Sequence, residues 1–273
     1  MNTNIAVDAG PPDYQGSKGQ RVAIRHLSLQ PDPQQDASAR LNVMFCGGFH
    51  SNMLGTKANF LADFCKARQW SFTRFDYRGH GESDGRPQDL TLQDWLEDTL
   101  NVLDSLPGPV LLVGSSMGGW LATLAALRRP DKVKGLVLLA AAPDFLQELI
   151  TPRLGPSQTW DLQQNKVVLI ENDYDKPHPI TQALLNSGRE LSLFNSPALP
   201  DQPSLAELSC PVRLLHGTRD KDVPYELSIR LMDAITHDDA RLTLLHRADH
   251  RLSDERSLRM LAAELMDLAS LRK

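Results

Sequence analysis

The stretch VLLVGSSMGGWLATLAALRRP, Val110 to Pro130, constrains the fold more than any other part of the chain. It opens on a fully apolar run, the signature of a strand buried on both faces. It continues as an Ala/Leu-rich helix that Pro130 ends. Between the two lies a turn with a serine among glycines. A strand handing over directly to a helix belongs to a parallel sheet with crossover helices. Further apolar runs supply the neighbours: LNVMF (Leu41–Phe45), VKGLVLLAAA (Val133–Ala142) and PVRLLHG (Pro211–Gly217). VAIRHLSL (Val22–Leu29), SFTRFDY (Ser71–Tyr77) and RLTLLH (Arg241–His246) read as further strands, and PDPQQDASAR as turn. Helical spacing covers Thr56–Arg68, Leu90–Leu106, Ser116–Arg129, Tyr225–Ile235 and Asp254–Leu271. The expected fold is α/β, a mostly parallel central sheet with helices on both faces.

The alternation breaks between Pro143 and Leu208, where no strand is evident and FLQELITPRL and ITQALLNSGREL read as helices. The domain expectation is therefore a core of residues 21–142 and 209–273, a helical lid insertion at 143–208, and a loose arm at 1–20. A chain of 273 residues with 41 % hydrophobic content suits one such domain.

Gly114-x-Ser116-x-Gly118 puts a serine hydroxyl on a sharp strand-to-helix turn, beyond the strand's carboxyl end, where open α/β sheets bind ligands. The following helix brings the Met117 N–H and its dipole beside that hydroxyl. A serine needs a base, and the base needs an orienting acid. LLHGTRDKDVPYE offers Asp220 and Asp222, and LLHRADHRLSD offers His246 and His250. Both segments follow strands, so they reach the sheet edge that carries Ser116. His250, in the loop beyond the strand end, suits the base better than His246. Apolar side chains of the insertion (Phe145, Leu146, Leu149, Ile150, Trp160) are candidates to line a ligand pocket. His50 stands where it can touch substrate, and His80 reads as a loop-stabilising histidine. Cys46 lacks a basic partner nearby in sequence and does not read as a nucleophile.

These motifs resemble the α/β-hydrolases, in which G-x-S-x-G is the nucleophile elbow and the order is Ser, acid, His. GGFHSNMLGTKA, FDYRGHGESDG, LVGSSMGGWLA, CPVRLLHGTRDKDVP and DHRLS together are similar to a subfamily of palmitoyl-protein thioesterases and acyl-glucuronide esterases, a mitochondrial enzyme and its bacterial relatives. The resemblance implies Ser116 as nucleophile, Asp220 as acid (Asp222 as the alternative) and His250 as base. It implies an oxyanion hole from the N–H groups of Met117 and Phe49, with Cys46 where the related H-G-x turn has histidine. The implied activity is cleavage of a small-molecule acyl ester or thioester through an acyl-enzyme. The rivals are a C–C bond hydrolase of ring-cleavage products and a hydrolase-fold ligand-binding protein with little turnover.

Composition narrows the partners. Lys and Arg total 29 against 34 Asp and Glu, a net charge of −5 that makes no electrostatic case for nucleic acid. No run approaches the ~18 apolar residues of a membrane span. Three widely spaced cysteines form neither a disulfide framework nor a zinc motif. The first residues lack a signal-peptide pattern. The expectations are a cytoplasmic monomer or dimer that uses no cofactor and no metal.

Overall fold

The computed structural model describes residues 11–27, 41–171, 177–194 and 204–271. Its centre is an eight-stranded sheet. The strands are β1 (Asp13–Gln15), β2 (Val22–Leu27), β3 (Asn42–Cys46), β4 (Ser71–Asp76), β5 (Val110–Ser115), β6 (Val133–Leu139), β9 (Val212–Gly217) and β10 (Ala240–Leu245). Their order is β1-β2-β4-β3-β5-β6-β9-β10. The β1–β2 and β2–β4 pairs are antiparallel, and every later pair is parallel. The mostly parallel α/β architecture is thus as expected.

The central strands are mostly apolar because each faces two helical layers. Successive side chains alternate between them. Met44, Leu112, Leu136 and Leu214 share one core with helices α2 (Leu92–Ser105), α3 (Met117–Arg128) and α6 (Glu226–Ala234). Val43, Phe45, Leu111, Val113 and Val137 share the other with α1 (Thr56–Ala67) and α7 (Glu255–Ser270). Helix α2 starts two residues later than its apolar spacing implies, because Thr91 caps it. The Thr91 hydroxyl accepts from Asp94 N–H, and the Asp94 carboxylate accepts from Thr91 N–H in return.

Two segments differ from the sequence reading. The arm expected to be loose contributes β1, which pairs with β2 and is pinned where Arg21 stacks over Tyr14 and pairs with Asp84 at 2.9 Å. Residues 1–10 and the turn at 31–40 lie outside the described residues. Between β6 and β9, FLQELITPRL forms a π turn (Leu146–Ile150) and a 3-10 turn (Thr151–Arg153) rather than one helix. There follow α4 (Pro156–Gln163), a small antiparallel hairpin of β7 (Val168–Ile170) and β8 (His178–Ile180), and α5 (Gln182–Glu190). The hairpin and α4 carry no clear periodicity, since three-residue strands pairing only with each other have no sheet face to alternate against.

Candidate active site

Ser116 joins β5 to α3. Its backbone sits at φ 55° and ψ −122°, a conformation side chains rarely adopt. Three bonds hold it there. Ser116 N–H donates to the Leu139 carbonyl at 3.0 Å, and its own carbonyl accepts from Gly119 and Ala142 at 2.9 and 3.1 Å. Gly118 is obligatory: a Cβ there would lie 2.1 Å from the Cys46 carbonyl oxygen. The helix therefore packs directly on the end of β3. The loop after β3 comes as close from the other side. A Cβ at Gly48 would be 3.3 Å from Ser116 Cβ. The Phe49 and Met117 backbones thus flank the serine. Met117 opens α3, so its N–H has no partner within the helix.

His250 follows β10 and Asp220 follows β9. His250 Nε2 lies 3.1 Å from Ser116 Oγ, and His250 Nδ1 lies 2.7 Å from Asp220 Oδ2. The Asp220 carboxylate is fully buried, while the His250 ring keeps some exposure. Burial alone would raise the Asp220 carboxyl. Hydrogen bonds from His216 and His250 outweigh it and hold the group well below the usual carboxylate range. Asp222 does not take this place. Its N–H donates to Asp220 Oδ1 at 2.9 Å, so it supports the acid. His246 is exposed on the strand end, and its carbonyl accepts from Arg256.

Asp220, Asp222 and His250 bring one ligand atom each within 4.8 Å of one another. That grouping does not suit a cation. Both Asp220 oxygens already accept from N–H groups of His216, His250, Asp222 and Val223.

Two cavities meet at Ser116, His250, Phe49 and His178. One, of about 320 Å³, is walled by Ala142, Phe145, Leu149, Ile150, Ile170 and Val223, with the charged Arg153, Glu171, Lys221 and Asp222 among them. Of the expected insertion residues, Phe145, Leu149 and Ile150 reach it. Leu146 is buried in the core, and Trp160 is 62 % exposed. The other, of about 330 Å³, is lined by Ser51, Asn52, Thr56, Lys57 and Ser253 together with Phe45 and Ala58. Lys57 Nζ donates to the Arg251 carbonyl, and burial lowers its ammonium to about 8 against the pull of Asp249.

The sequence reading missed His178 and His216. His178, on β8, stacks on His50 with ring centroids 4.4 Å apart and meets Phe49 edge-on at 5.1 Å. No pattern in the insertion marked it. His216 ends an apolar strand four residues before Asp220, and that spacing was the available signal. His50 lines the second cavity. His80 is buried against the loop, with Nδ1 3.2 Å from the Arg78 carbonyl. Cys46 is fully buried, which pushes its thiol up to about 12, so it is inert as a nucleophile.

Comparison with known proteins adds the family. A palmitoyl-protein thioesterase ABHD10, mitochondrial, from Bos taurus is 34 % identical over 256 residues, covering 91 % of this chain and 80 % of the relative. The structure of mouse alpha/beta hydrolase domain-containing protein 10 superposes with a TM-score of 0.80 at 29 % identity, covering 97 % of this chain and all of that one. A crystal structure from Agrobacterium vitis S4 gives 0.82 at 33 % identity, over 95 % of this chain and all of the other. The family model described as alpha/beta hydrolase family matches residues 43–264, and the chain belongs to that family.

Proposed function

We propose that the protein is a serine hydrolase that cleaves acyl esters or thioesters through an acyl-enzyme, with Ser116 as nucleophile, His250 as base and Asp220 as its orienting acid. The observation that carries this reading is the unbroken chain of contacts from Ser116 Oγ through the His250 ring to a buried, ionised Asp220. His250 Nε2 takes the hydroxyl proton as Ser116 Oγ bonds to the substrate carbonyl carbon. The N–H groups of Phe49 and Met117 hold the oxyanion, and losing such a donor typically costs about 3 kcal/mol of barrier. The C–S or C–O bond then breaks, and His250 returns the proton to the leaving thiol or alcohol. Water, deprotonated by His250, attacks the acyl-enzyme, releases the carboxylic acid and restores Ser116. No step needs a metal or an organic cofactor.

The cavity walled by Phe145, Leu149 and Ile150 of the insertion takes the acyl chain and the cavity on the Lys57 side the leaving group, with the described part of the insertion acting as a lid over the acyl side. Relatives named palmitoyl-protein thioesterases favour a thioester among the substrates. The test is a panel of p-nitrophenyl esters and acyl-CoA thioesters, short to long, with wild type and Ser116→Ala side by side. We expect turnover by wild type and a loss of about ten-thousand-fold or more in the variant, with an unchanged circular dichroism spectrum. A folded wild type silent on the whole panel, or a fully active Ser116→Ala, overturns the reading.

A further inference from the structure

A second histidine reaches the acid. His216 is completely buried, and its Nε2 lies 3.0 Å from Asp220 Oδ2, the same oxygen that His250 Nδ1 approaches. It also lies 3.0 Å from the Val223 carbonyl. A carboxylate and a carbonyl only accept, so Nε2 carries a proton and donates to both. The far side of the ring is fixed as well, with Nδ1 2.7 Å from Ser228 Oγ on α6. Asp220 Oδ1 accepts from the N–H groups of Asp222 and Val223 at 2.9 and 2.8 Å. The carboxylate therefore has four donors for about four lone-pair directions, and it cannot turn.

We infer that His216 is a positioning residue for catalysis: it locks Asp220 from behind and shares its charge, setting how strongly Asp220 grips His250. The inference rests on the proposed roles of Ser116, Asp220 and His250. Its physical basis is competition for one oxygen. Each donor to Oδ2 withdraws charge that the other would otherwise meet, and in a dry site that sharing is large. Remove His216, and the whole charge of Oδ2 falls on the His250 ring, which then holds its proton more tightly. The carboxylate also gains freedom to rotate, and the ring leaves its reactive orientation more often. The titratable and charged groups that line the two cavities beside His250 are Arg153, Glu171, His178, Lys221 and Asp222 on one side, and His50, Lys57 and Arg251 on the other.

The experiment compares His216→Leu, His216→Gln and Ser228→Ala in kcat, KM and the pH profile of kcat/KM, with Ser116→Ala alongside. In His216→Leu we expect kcat to fall about tenfold with KM within about twofold. We expect its acid limb, which reports protonation of the free enzyme's base, to move up by about half a pH unit. Gln presents a side-chain N–H near the position of Nε2, so His216→Gln restores most of kcat and the wild-type limb. An unmoved limb in His216→Leu, or equal damage from Leu and Gln, overturns the inference. If His216→Leu does not fold, Ser228→Ala decides, since it frees the far side of the ring without touching Asp220. A limb displaced the same way supports the inference, and an unmoved limb overturns it. Failure of the underlying triad reading looks different, because Ser116→Ala would then keep its turnover.

Discussion

Ser116 is a residue held in the wrong place for its own side chain. Its φ of 55° with ψ of −122° suits glycine, and a non-glycine residue there costs on the order of 1–3 kcal/mol. The bonds through Leu139, Gly119 and Ala142 impose that geometry because it lifts the hydroxyl off the sheet toward His250. Replacing the serine by alanine removes the hydroxyl and keeps the strain. Replacing it by glycine removes both, against an entropy cost of roughly 0.5–1 kcal/mol in the unfolded chain. Ser116→Gly should therefore be more stable than Ser116→Ala by about 1 kcal/mol, with both inactive. Urea unfolding of the two variants checks this. Equal midpoints would mean that the turn relaxes and that the serine stores no strain.

Among the elements, the insertion is tied to the core by Trp120 Nε1 donating to the Leu191 carbonyl, by Leu92 N–H donating to Ser187 Oγ, and by one buried carboxylate. Asp144, fully buried just after β6, accepts from Ser192 Oγ at 2.5 Å and from the N–H groups of Leu193 and Phe194 at 2.8 and 3.0 Å. It thereby ties the chain after α5 back to the end of β6. Asp144→Ala strands those donors in a dry site, a loss of about 3 kcal/mol, while Asp144→Asn keeps part of the bonding and loses less. Limited proteolysis should cut near residues 191–194 in the alanine variant well before global unfolding. Cleavage no faster than wild type would show that other contacts hold the segment. The sequence carries no sign of this clamp, because a buried aspartate after an apolar strand looks like any loop residue. The central strands were legible for the opposite reason. Burial on two faces leaves continuous apolar runs, and the crossovers between them are long enough to show helical spacing. Ser116 and Asp220 were legible because each follows such a strand, and His250 because it follows the edge strand β10 in the order Ser, acid, His. The β7–β8 hairpin and His178 were not, since that hairpin stands outside the main sheet. His216 was hidden inside a strand, where an apolar run draws the eye past one polar ring.

For the whole molecule, the site depends on two strands at the far edge of the sheet. Ser116 and the Phe49 loop follow β5 and β3, which are neighbours, but Asp220 and His250 follow β9 and β10, beyond β6. Strand β10 is an edge strand with a single neighbour. What ties this edge together lies away from the site. Arg213, near the start of β9, has a side chain only 2 % exposed, and its guanidinium reaches Asp239 at 2.8 Å, Asp267 at 2.6 Å and Glu264 at 3.5 Å. Asp239 leads into β10, Asp267 and Glu264 belong to α7, and Arg241 of β10 also pairs with Asp267. One buried cation thus links both strands and the helix that packs beneath them. Arg213→Leu keeps the apolar stem but leaves three carboxylates gathered around an uncharged side chain. Breaking a buried pair in this way costs about 3–5 kcal/mol. The value here should fall at the low end, because Asp239 and Asp267 are each more than a third exposed and water screens them. Arg213→Lys restores only part, since an ammonium cannot reach several carboxylates with a planar fork. The clamp lies at the opposite end of β9 from Asp220, so kcat per folded molecule should stay within about twofold below the unfolding transition. Urea unfolding followed by turnover at low temperature separates the two effects. A variant that keeps its stability, or one that loses kcat while fully folded, would mean that the edge is held from elsewhere or that the clamp acts directly on the site.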